Sequence, residues 1–160
     1  MKTKILKLLE ENSRLSTSDI AKQLGVDEDS VIKDIAEMEA DKIICGYHTI
    51  INWDKIVDEK VNALIEVKAV PQRGTGFDSI ANRIAKYDEV DSVYLLSGGY
   101  DFMVIIQGKS MKEVSSFVFE KLSALDSIQS TATHFVLKKY KDHGISLEDR
   151  IKDKRENIVL

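Results

Sequence analysis

The chain has one cysteine, one proline and one tryptophan among its 160 residues. A single cysteine, Cys45, excludes an internal disulfide, and we expect it to be a small buried hydrophobe in a reducing compartment. No apolar run is long enough to span a membrane, and charged residues interrupt the N-terminal segment where a signal peptide would be apolar. These absences predict a cytoplasmic protein without a membrane partner.

Motifs of catalysis and of cofactor binding are missing as well. Cys45, His48, His134 and His143 do not have the spacing of a zinc site, and no Walker loop, nucleophile elbow or dinucleotide fingerprint occurs. The glycine-containing segment 73–76 is too short for a phosphate loop and is better explained as a connection. We therefore expect no catalytic residue, no metal ion and no cofactor.

Positive charge is scarce. The chain has 23 Lys plus Arg against 27 Asp plus Glu, a net charge of −4. General electrostatic attraction to nucleic acid or to an anionic membrane is therefore excluded, so any phosphate binding has to come from a local patch or from several copies acting together. The hydrophobic content of 43%, in contrast, is sufficient for one or two packed cores.

Two helices are predicted near the N-terminus. Apolar residues recur at helical spacing from Ile5 to Leu9, and this pattern ends near Asn12. Ser16 and Asp19 stand in the S-x-x-D relation of a capping box, which satisfies the free backbone N–H groups at the start of a second helix. We expect that helix to end at a glycine, residue 25.

A third helix and a wing complete the predicted N-terminal domain. Asp27 can cap this helix, and Val31, Ile35 and Met38 form its buried stripe. The segment 43–51 is predicted to form two short strands, the wing of a winged helix-turn-helix. Residues 1–51 are therefore assigned to a winged helix-turn-helix domain that binds DNA.

Residues 52–60 are a predicted linker, and a second domain is predicted over 61–141. Polar and apolar residues alternate over 61–69, as in a strand with one buried face. A helix, two strands joined by a glycine-containing hairpin, another helix and a last strand over 127–139 follow. This order predicts a ferredoxin-like βαββαβ unit and an α+β protein. Residues 142–160 are a C-terminal extension.

One face of the predicted sheet has no helix to cover it. It is expected to carry Leu64, Tyr94 and Leu96, an apolar patch larger than a soluble monomer normally exposes. We therefore expect self-association as a dimer or a higher oligomer through this face.

Three segments in this order resemble the leucine-responsive and asparagine-responsive (Lrp/AsnC) family of transcriptional regulators. They are the turn Ala21-Lys22-Gln23-Leu24-Gly25, the pair Met38-Glu39 followed by Ile43-Ile44-Cys45-Gly46-Tyr47, and above all the loop Leu96-Ser97-Gly98-Gly99-Tyr100-Asp101-Phe102. The resemblance covers residues 2 to about 141. It implies a RAM/ACT-like C-terminal domain, dimers that assemble further into rings such as octamers, and binding to a double-stranded promoter operator. It also implies a small effector, usually an amino acid, at a subunit interface.

The resemblance locates the effector site at the glycine loop and on the last strand. Because Gly98 and Gly99 lack a Cβ, their N–H groups can approach a carboxylate, while Asp101 could accept hydrogen bonds from an ammonium group. A tight hairpin turn for the glycines, and sheet packing for the threonines, remain alternatives. The predicted effector-binding residues are Gly98, Gly99, Tyr100, Asp101, Thr131 and Thr133.

The third helix carries an electrostatic conflict. Residues 27–41 contain seven acids and one base, Lys33, and Asp34 and Glu37 occupy positions where relatives carry basic residues. DNA affinity comes largely from Lys and Arg on phosphates, so outward-facing acids would oppose it. Lysines of the first helix, such as Lys2, could hold flanking phosphates. The predicted DNA-binding residues are Arg14, Lys22, Ser30, Ile32, Lys33 and His48.

Two other functions remain compatible with the sequence. An oligomeric metabolite sensor with weak or lost DNA binding would explain the acidic helix. Sirohaem decarboxylases resemble the same two-domain architecture, but they use histidines near the inter-domain cleft. This chain has three histidines and lacks the dense His/Arg cluster that a carboxylate-bearing tetrapyrrole would require.

Overall fold

A computed structural model describes residues 1–56, 60–71, 74 and 76–148. The chain divides into two compact units, Met1–Ile50 and Ile51–Leu160. Parts of the predicted linker (57–59), of the predicted connection (73 and 75) and of the C-terminal extension (149–160) lie outside the described residues. Within the described part of the chain, no helix is both long and apolar enough to cross a membrane.

The first unit consists of three helices, as predicted. They are α1 (Lys2–Glu11), α2 (Thr17–Leu24) and α3 (Glu28–Ala40). The helices enclose a small core in which Ile35 is only partly buried. The fully or nearly fully buried residues of this core are Ile5, Ile20, Ala21, Val31 and Met38.

Local capping interactions set the turn between α2 and α3. Ser16 Oγ accepts a hydrogen bond from the Asp19 N–H at 3.0 Å and so starts α2. Gly25 ends it in the left-handed region, with a φ of 66° that favours glycine. The Asp27 carboxylate then accepts from the Ser30 N–H at 2.8 Å and starts α3. These predicted caps are confirmed.

The predicted wing is wrong, because residues 43–50 form no strand. Lys42 takes a left-handed φ of 57°, and the N–H groups of Ile43 and Ile44 donate to the Met38 carbonyl at 2.9 and 3.0 Å. The two isoleucines therefore terminate α3 rather than begin a strand, and Ile44 packs on the helical core. Cys45, predicted to be buried, is exposed.

The second unit has the predicted βαββαβ order. Its four strands form an antiparallel sheet in the order β2-β3-β1-β4. The main elements are β1 (Val61–Ala69), α4 (Gly76–Ile84), β2 (Val90–Leu95), β3 (Phe102–Gly108), α5 (Met111–Phe117) and β4 (Ile128–Phe135). A 3-10 turn (Trp53–Lys55) precedes β1, and a π turn (Val118–Leu122) follows α5. A short hairpin, β5 (Lys141–Asp142) and β6 (Ile145–Ser146), follows the last main strand.

Two helices cover one face of the sheet. Ala63, Ile65 and Val67 are fully buried on that face, and Phe77 of α4 meets Phe102 of β3 edge to face with ring centroids 5.8 Å apart. The alternation predicted for β1 is therefore confirmed. The last strand is shorter than predicted, because it ends at Phe135. Leu137, which lies beyond the end of this strand, is 93% exposed.

The opposite face carries the apolar side chains that motivated the prediction of an oligomer. The strand register places Leu64 opposite Ile105 and Tyr94 opposite Met103 on this face. The Tyr94 side chain remains 50% exposed, which is high for an aromatic residue in the middle of a strand pair. Leu96, also expected here, lies just beyond the end of β2.

Candidate nucleic-acid interface and effector site

The outward face of α3 carries small and apolar residues together with one base and one acid, Asp29, which precedes Lys33 by about one helical turn. Successive residues of a helix are separated by about 100°, so Ile32, Lys33, Ala36 and Ala40 lie on the side away from the buried Val31 and Met38. The Ile32 residue is 48% exposed, and the Lys33 side chain is 77% exposed. Two of the predicted DNA-binding residues therefore lie on a surface that is open to a duplex.

Four of the seven acids between residues 27 and 41 are hydrogen-bonded to groups of the same unit. Each of these carboxylates accepts a hydrogen bond that fixes its direction, while all four residues stay exposed to solvent. Apart from Ser30 in α3 itself, the donors come from three other segments, which the sequence pattern did not connect to α3. The pairs are Asp27 with Ser30, Glu28 with Thr17, Glu37 with Lys2, and Glu39 with Tyr47.

Glu37 and Asp34 lie on the flank of α3 that faces Lys2. The Lys2 Nζ donates to Glu37 Oε2 at 2.8 Å. This hydrogen bond lowers the pKa of Glu37 below its ordinary value and raises the pKa of Lys2 above its own. The charge of Asp34 adds to the raised pKa of Lys2. Glu37 and Asp34, the two acids expected to oppose DNA binding, thus lie on the side of α3 that faces Lys2.

The other predicted DNA-binding residues are dispersed around α3. Arg14 is exposed in the turn after α1, Lys22 is exposed in the last turn of α2, and His48 is exposed in the segment after α3. Ser30 is different, because its hydroxyl donates to Asp27 Oδ2 at 2.7 Å. Its hydroxyl proton is therefore used within the cap, and its oxygen can act only as an acceptor toward a base.

Asp101 fastens the glycine loop to β1. Its carboxylate Oδ2 accepts from the Ala69 N–H at 2.8 Å, and its own N–H donates to the Val67 carbonyl at 3.0 Å. The Leu96 N–H donates to the Asp101 carbonyl at 2.8 Å and closes the loop. The sequence had indicated only a ligand role for this residue, so its part in the fold was missed.

The two glycines of the loop are not required by the fold of the single chain. Neither Gly98 nor Gly99 has a left-handed φ, and a Cβ built on either would meet no atom within 4 Å. The backbone conformation of this loop therefore does not require glycine at either position. The space beside both glycines is therefore open in the single chain.

A cavity of about 140 Å³ lies beside the glycine loop. It brings together Gly99, Tyr100 and Thr131 of the predicted effector residues, but not the other three.

Thr131 and Thr133 pair with Val67 and Ile65, so their side chains lie on the helix-covered face. Two charged residues of β1 were missed by the sequence analysis. The lining residues are Glu66, Lys68, Gly99, Tyr100, Ser130, Thr131 and Ala132.

A wider and more open depression of about 360 Å³ lies between the 3-10 turn and the C-terminal hairpin. Several of its polar groups are paired within the chain: Lys138 Nζ lies 2.9 Å from Glu148 Oε1, and Asn52 Nδ2 donates to the Leu147 carbonyl at 2.8 Å. It contains none of the predicted site residues, so its size alone does not make it the better candidate.

Two family models match the chain. The AsnC-type helix-turn-helix domain matches residues 3–39, and the Lrp/AsnC ligand binding domain matches residues 62–145. The chain belongs to the Lrp/AsnC family of transcriptional regulators. The predicted family and fold class are thereby confirmed, and a DNA-binding helix-turn-helix and a ligand-binding domain are its two parts.

Relatives of this Lrp/AsnC protein agree over nearly the whole chain. The HTH-type transcriptional regulator YugG of Bacillus subtilis (strain 168) is 49% identical over 96% of this chain and 93% of its own length. A Neisseria meningitidis transcriptional regulator solved with L-Met has a TM-score of 0.69 at 23% identity, covering 88% of this chain and 90% of its own. E. coli AsnC has a TM-score of 0.63 at 24% identity, covering 86% and 91%. These two structures support the fold.

Family membership favours a regulator over the sirohaem decarboxylase alternative. The three histidines are also dispersed: His48 follows α3, His134 Nε2 lies 3.3 Å from Glu66 Oε1, and His143 Nδ1 lies 2.9 Å from Asp142 Oδ1. Among the residues that the structure describes, no three His, Cys, Asp or Glu side chains are placed to share a metal ion.

Proposed function

We propose that this Lrp/AsnC regulator binds duplex DNA through the outward face of α3 and senses an amino acid in its second unit. The observation that supports DNA binding is the internal hydrogen bonding of four of the seven acids between residues 27 and 41. It leaves Asp29 as the acid that shares the outward face with Ile32 and Lys33, and we propose that a DNA groove accepts this face. An oligomeric sensor without DNA binding remains the alternative.

The exposed side chains of α3 suit contacts to base edges of a particular kind. Ile32 and Ala36 offer apolar contact to thymine methyl groups in the major groove, and Lys33 can donate to guanine or to a phosphate. Arg14, Lys22 and His48 then hold flanking phosphates. Because so few groups read base edges, each copy is expected to discriminate weakly between sequences.

Binding by one copy is also expected to be weak. Residues 1–60 contain nine Lys plus Arg against thirteen Asp plus Glu, so long-range attraction to DNA is absent. Self-association compensates for the weak DNA binding of each copy, because linked copies bind neighbouring sites at a high effective concentration. The bare sheet face with Leu64, Tyr94, Met103 and Ile105 is the surface through which we propose that dimers form, and octamers are built from these.

Lys33→Glu tests the orientation of α3. Lys33 is the only base between residues 27 and 41, so reversing its charge should weaken binding to a short duplex by about tenfold or more at low salt. Fluorescence anisotropy of labelled DNA measures this change. Lys7→Glu on α1 makes the same charge reversal away from α3 and serves as the control. An equal loss in both variants would show that only net charge matters.

The cavity beside the glycine loop has the chemistry of an α-amino acid site. Glu66 and Lys68 are two residues apart on one face of β1, so their side chains can meet an ammonium and a carboxylate of one small ligand. The N–H groups of the glycine loop provide further donors for the carboxylate. The neisserial structure with L-Met supports the class of ligand, not its identity.

Lys68→Gln tests this assignment. Titration calorimetry with the twenty common amino acids should identify at least one that binds the wild type, and the variant should bind it about tenfold or more weakly, because a charge-assisted hydrogen bond is lost. Lys86→Gln removes the same charge from an exposed position outside the cavity and should bind normally. Heat changes indistinguishable from buffer for all twenty would rule out amino-acid sensing.

A further inference from the structure

The ion pair between Lys2 and Glu37 connects the first turn of α1 to the recognition helix α3. The Lys2 Nζ lies 2.8 Å from Glu37 Oε2, while Lys33 Nζ lies 4.0 Å from Glu37 Oε1. The two paired side chains are 40% and 45% exposed, so the pair contributes little to folding stability. Because the pair lies next to the outward face of α3, it bears on DNA binding instead.

Glu37 follows Lys33 by about one helical turn, so it lies near any phosphate that Lys33 approaches. A carboxylate there repels the DNA backbone unless a cation neutralises it. Lys33 alone is a poor candidate for neutralising Glu37, because its Nζ lies farther from the carboxylate and its side chain is 77% exposed. Lys2 holds the closer, hydrogen-bonded position.

We propose that Lys2 is a positioning residue for DNA recognition, which neutralises Glu37 and leaves Lys33 available for the duplex. This inference rests on the DNA binding proposed above. It assigns Lys2 a role different from the phosphate contact that the sequence analysis expected. The charges of Asp34 and Asp41 also act on Lys2, which strengthens its attachment to this flank of the unit.

A double-mutant cycle separates the two roles. If Lys2 acts through Glu37, then Lys2→Gln should weaken binding by about three- to tenfold, because it exposes the carboxylate. Glu37→Gln should leave affinity unchanged or slightly tighter. The double variant Lys2→Gln/Glu37→Gln should return to within about twofold of the Glu37→Gln protein, since no exposed carboxylate remains. Anisotropy with a mixed-sequence duplex at low salt measures all four proteins.

Lys4→Gln supplies the matched control. Lys4 lies on the same helix and makes no ion pair with any described residue, so its replacement should cost the same small factor with or without the Glu37→Gln change. Lys2→Arg keeps the charge and should bind like the wild type. Circular dichroism melting should be nearly unchanged for every variant, which separates an effect on DNA from an effect on folding.

Two results would overturn the proposal. An equal loss from Lys2→Gln in the wild type and in the Glu37→Gln protein would mean that Lys2 contacts phosphate directly. No loss from Lys2→Gln would mean that the pair has no part in recognition. If the wild type and all variants fail to bind any duplex at low salt, DNA binding itself is contradicted, and the role of Lys2 is contradicted with it.

Discussion

Asp101→Asn is expected to weaken amino-acid binding about ten- to a hundredfold while leaving the fold of the second unit intact. The asparagine amide oxygen can still accept from the Ala69 N–H, which the Asp101 carboxylate does at 2.8 Å. One of the two carboxylates proposed to meet the ammonium group is lost, while Glu66 in the cavity wall remains. Hydrogen bonds to charged groups contribute about 1.5–3 kcal/mol, so the dissociation constant should rise by about ten- to a hundredfold.

Asp101→Ala makes the complementary change, because it removes both the charge and the acceptor for Ala69. It should therefore weaken amino-acid binding and also lower the free energy of unfolding by about 1–3 kcal/mol, because the N–H of the buried Ala69 is left without its acceptor. Calorimetry and thermal melting on the two variants separate the ligand role from the structural role. Wild-type affinity in Asp101→Asn would show that the carboxylate serves only to fasten the glycine loop.

Ile20→Ala is expected to unfold the first unit selectively. Ile20 is fully buried in a core that contains only four other buried residues among those the structure describes. Truncating a buried isoleucine to alanine costs about 2–5 kcal/mol, which is comparable with the whole stability of a unit of this size. The variant should lose DNA binding but retain self-association and amino-acid binding, because the second unit has its own core.

Ile32→Ala is the matched control for stability. It removes the same atoms from the same unit, but Ile32 is 48% exposed, so its loss should change the melting temperature far less. Nuclear magnetic resonance spectra of Ile20→Ala should show collapsed signals for residues 1–50 and native signals for the sheet. Loss of native signals from both units together would contradict two independently folded units.

Short-range signals predicted most of the fold correctly. The caps at Ser16 and Asp27 and the stop at Gly25 involve residues three or four positions apart, so their patterns are visible in the sequence. The prediction of a wing failed because α3 ends at Ala40 and Lys42, just beyond it, adopts a left-handed conformation without being glycine or asparagine. Hydrophobic composition alone made the next two isoleucines resemble a strand.

The candidate sites were less predictable, because their geometry depends on residues far apart in the chain. Glu37 meets Lys2 across 35 positions, and only the packing of α1 against α3 brings them together. Likewise, Glu66 and Lys68 are ordinary alternating strand residues until the sheet register places them beside the glycine loop. Sequence patterns identified the acidic conflict in α3, but only the tertiary structure shows that Glu37 is paired with Lys2.

Footprinting of the full chain on fragmented genomic DNA, with and without each of the twenty amino acids, tests the regulator assignment most directly. We expect discrete protected sites, and a change in their occupancy when one or a few amino acids are added. Protection that is uniform along the DNA, or that no amino acid alters, would contradict a sequence-specific regulator controlled by an amino acid.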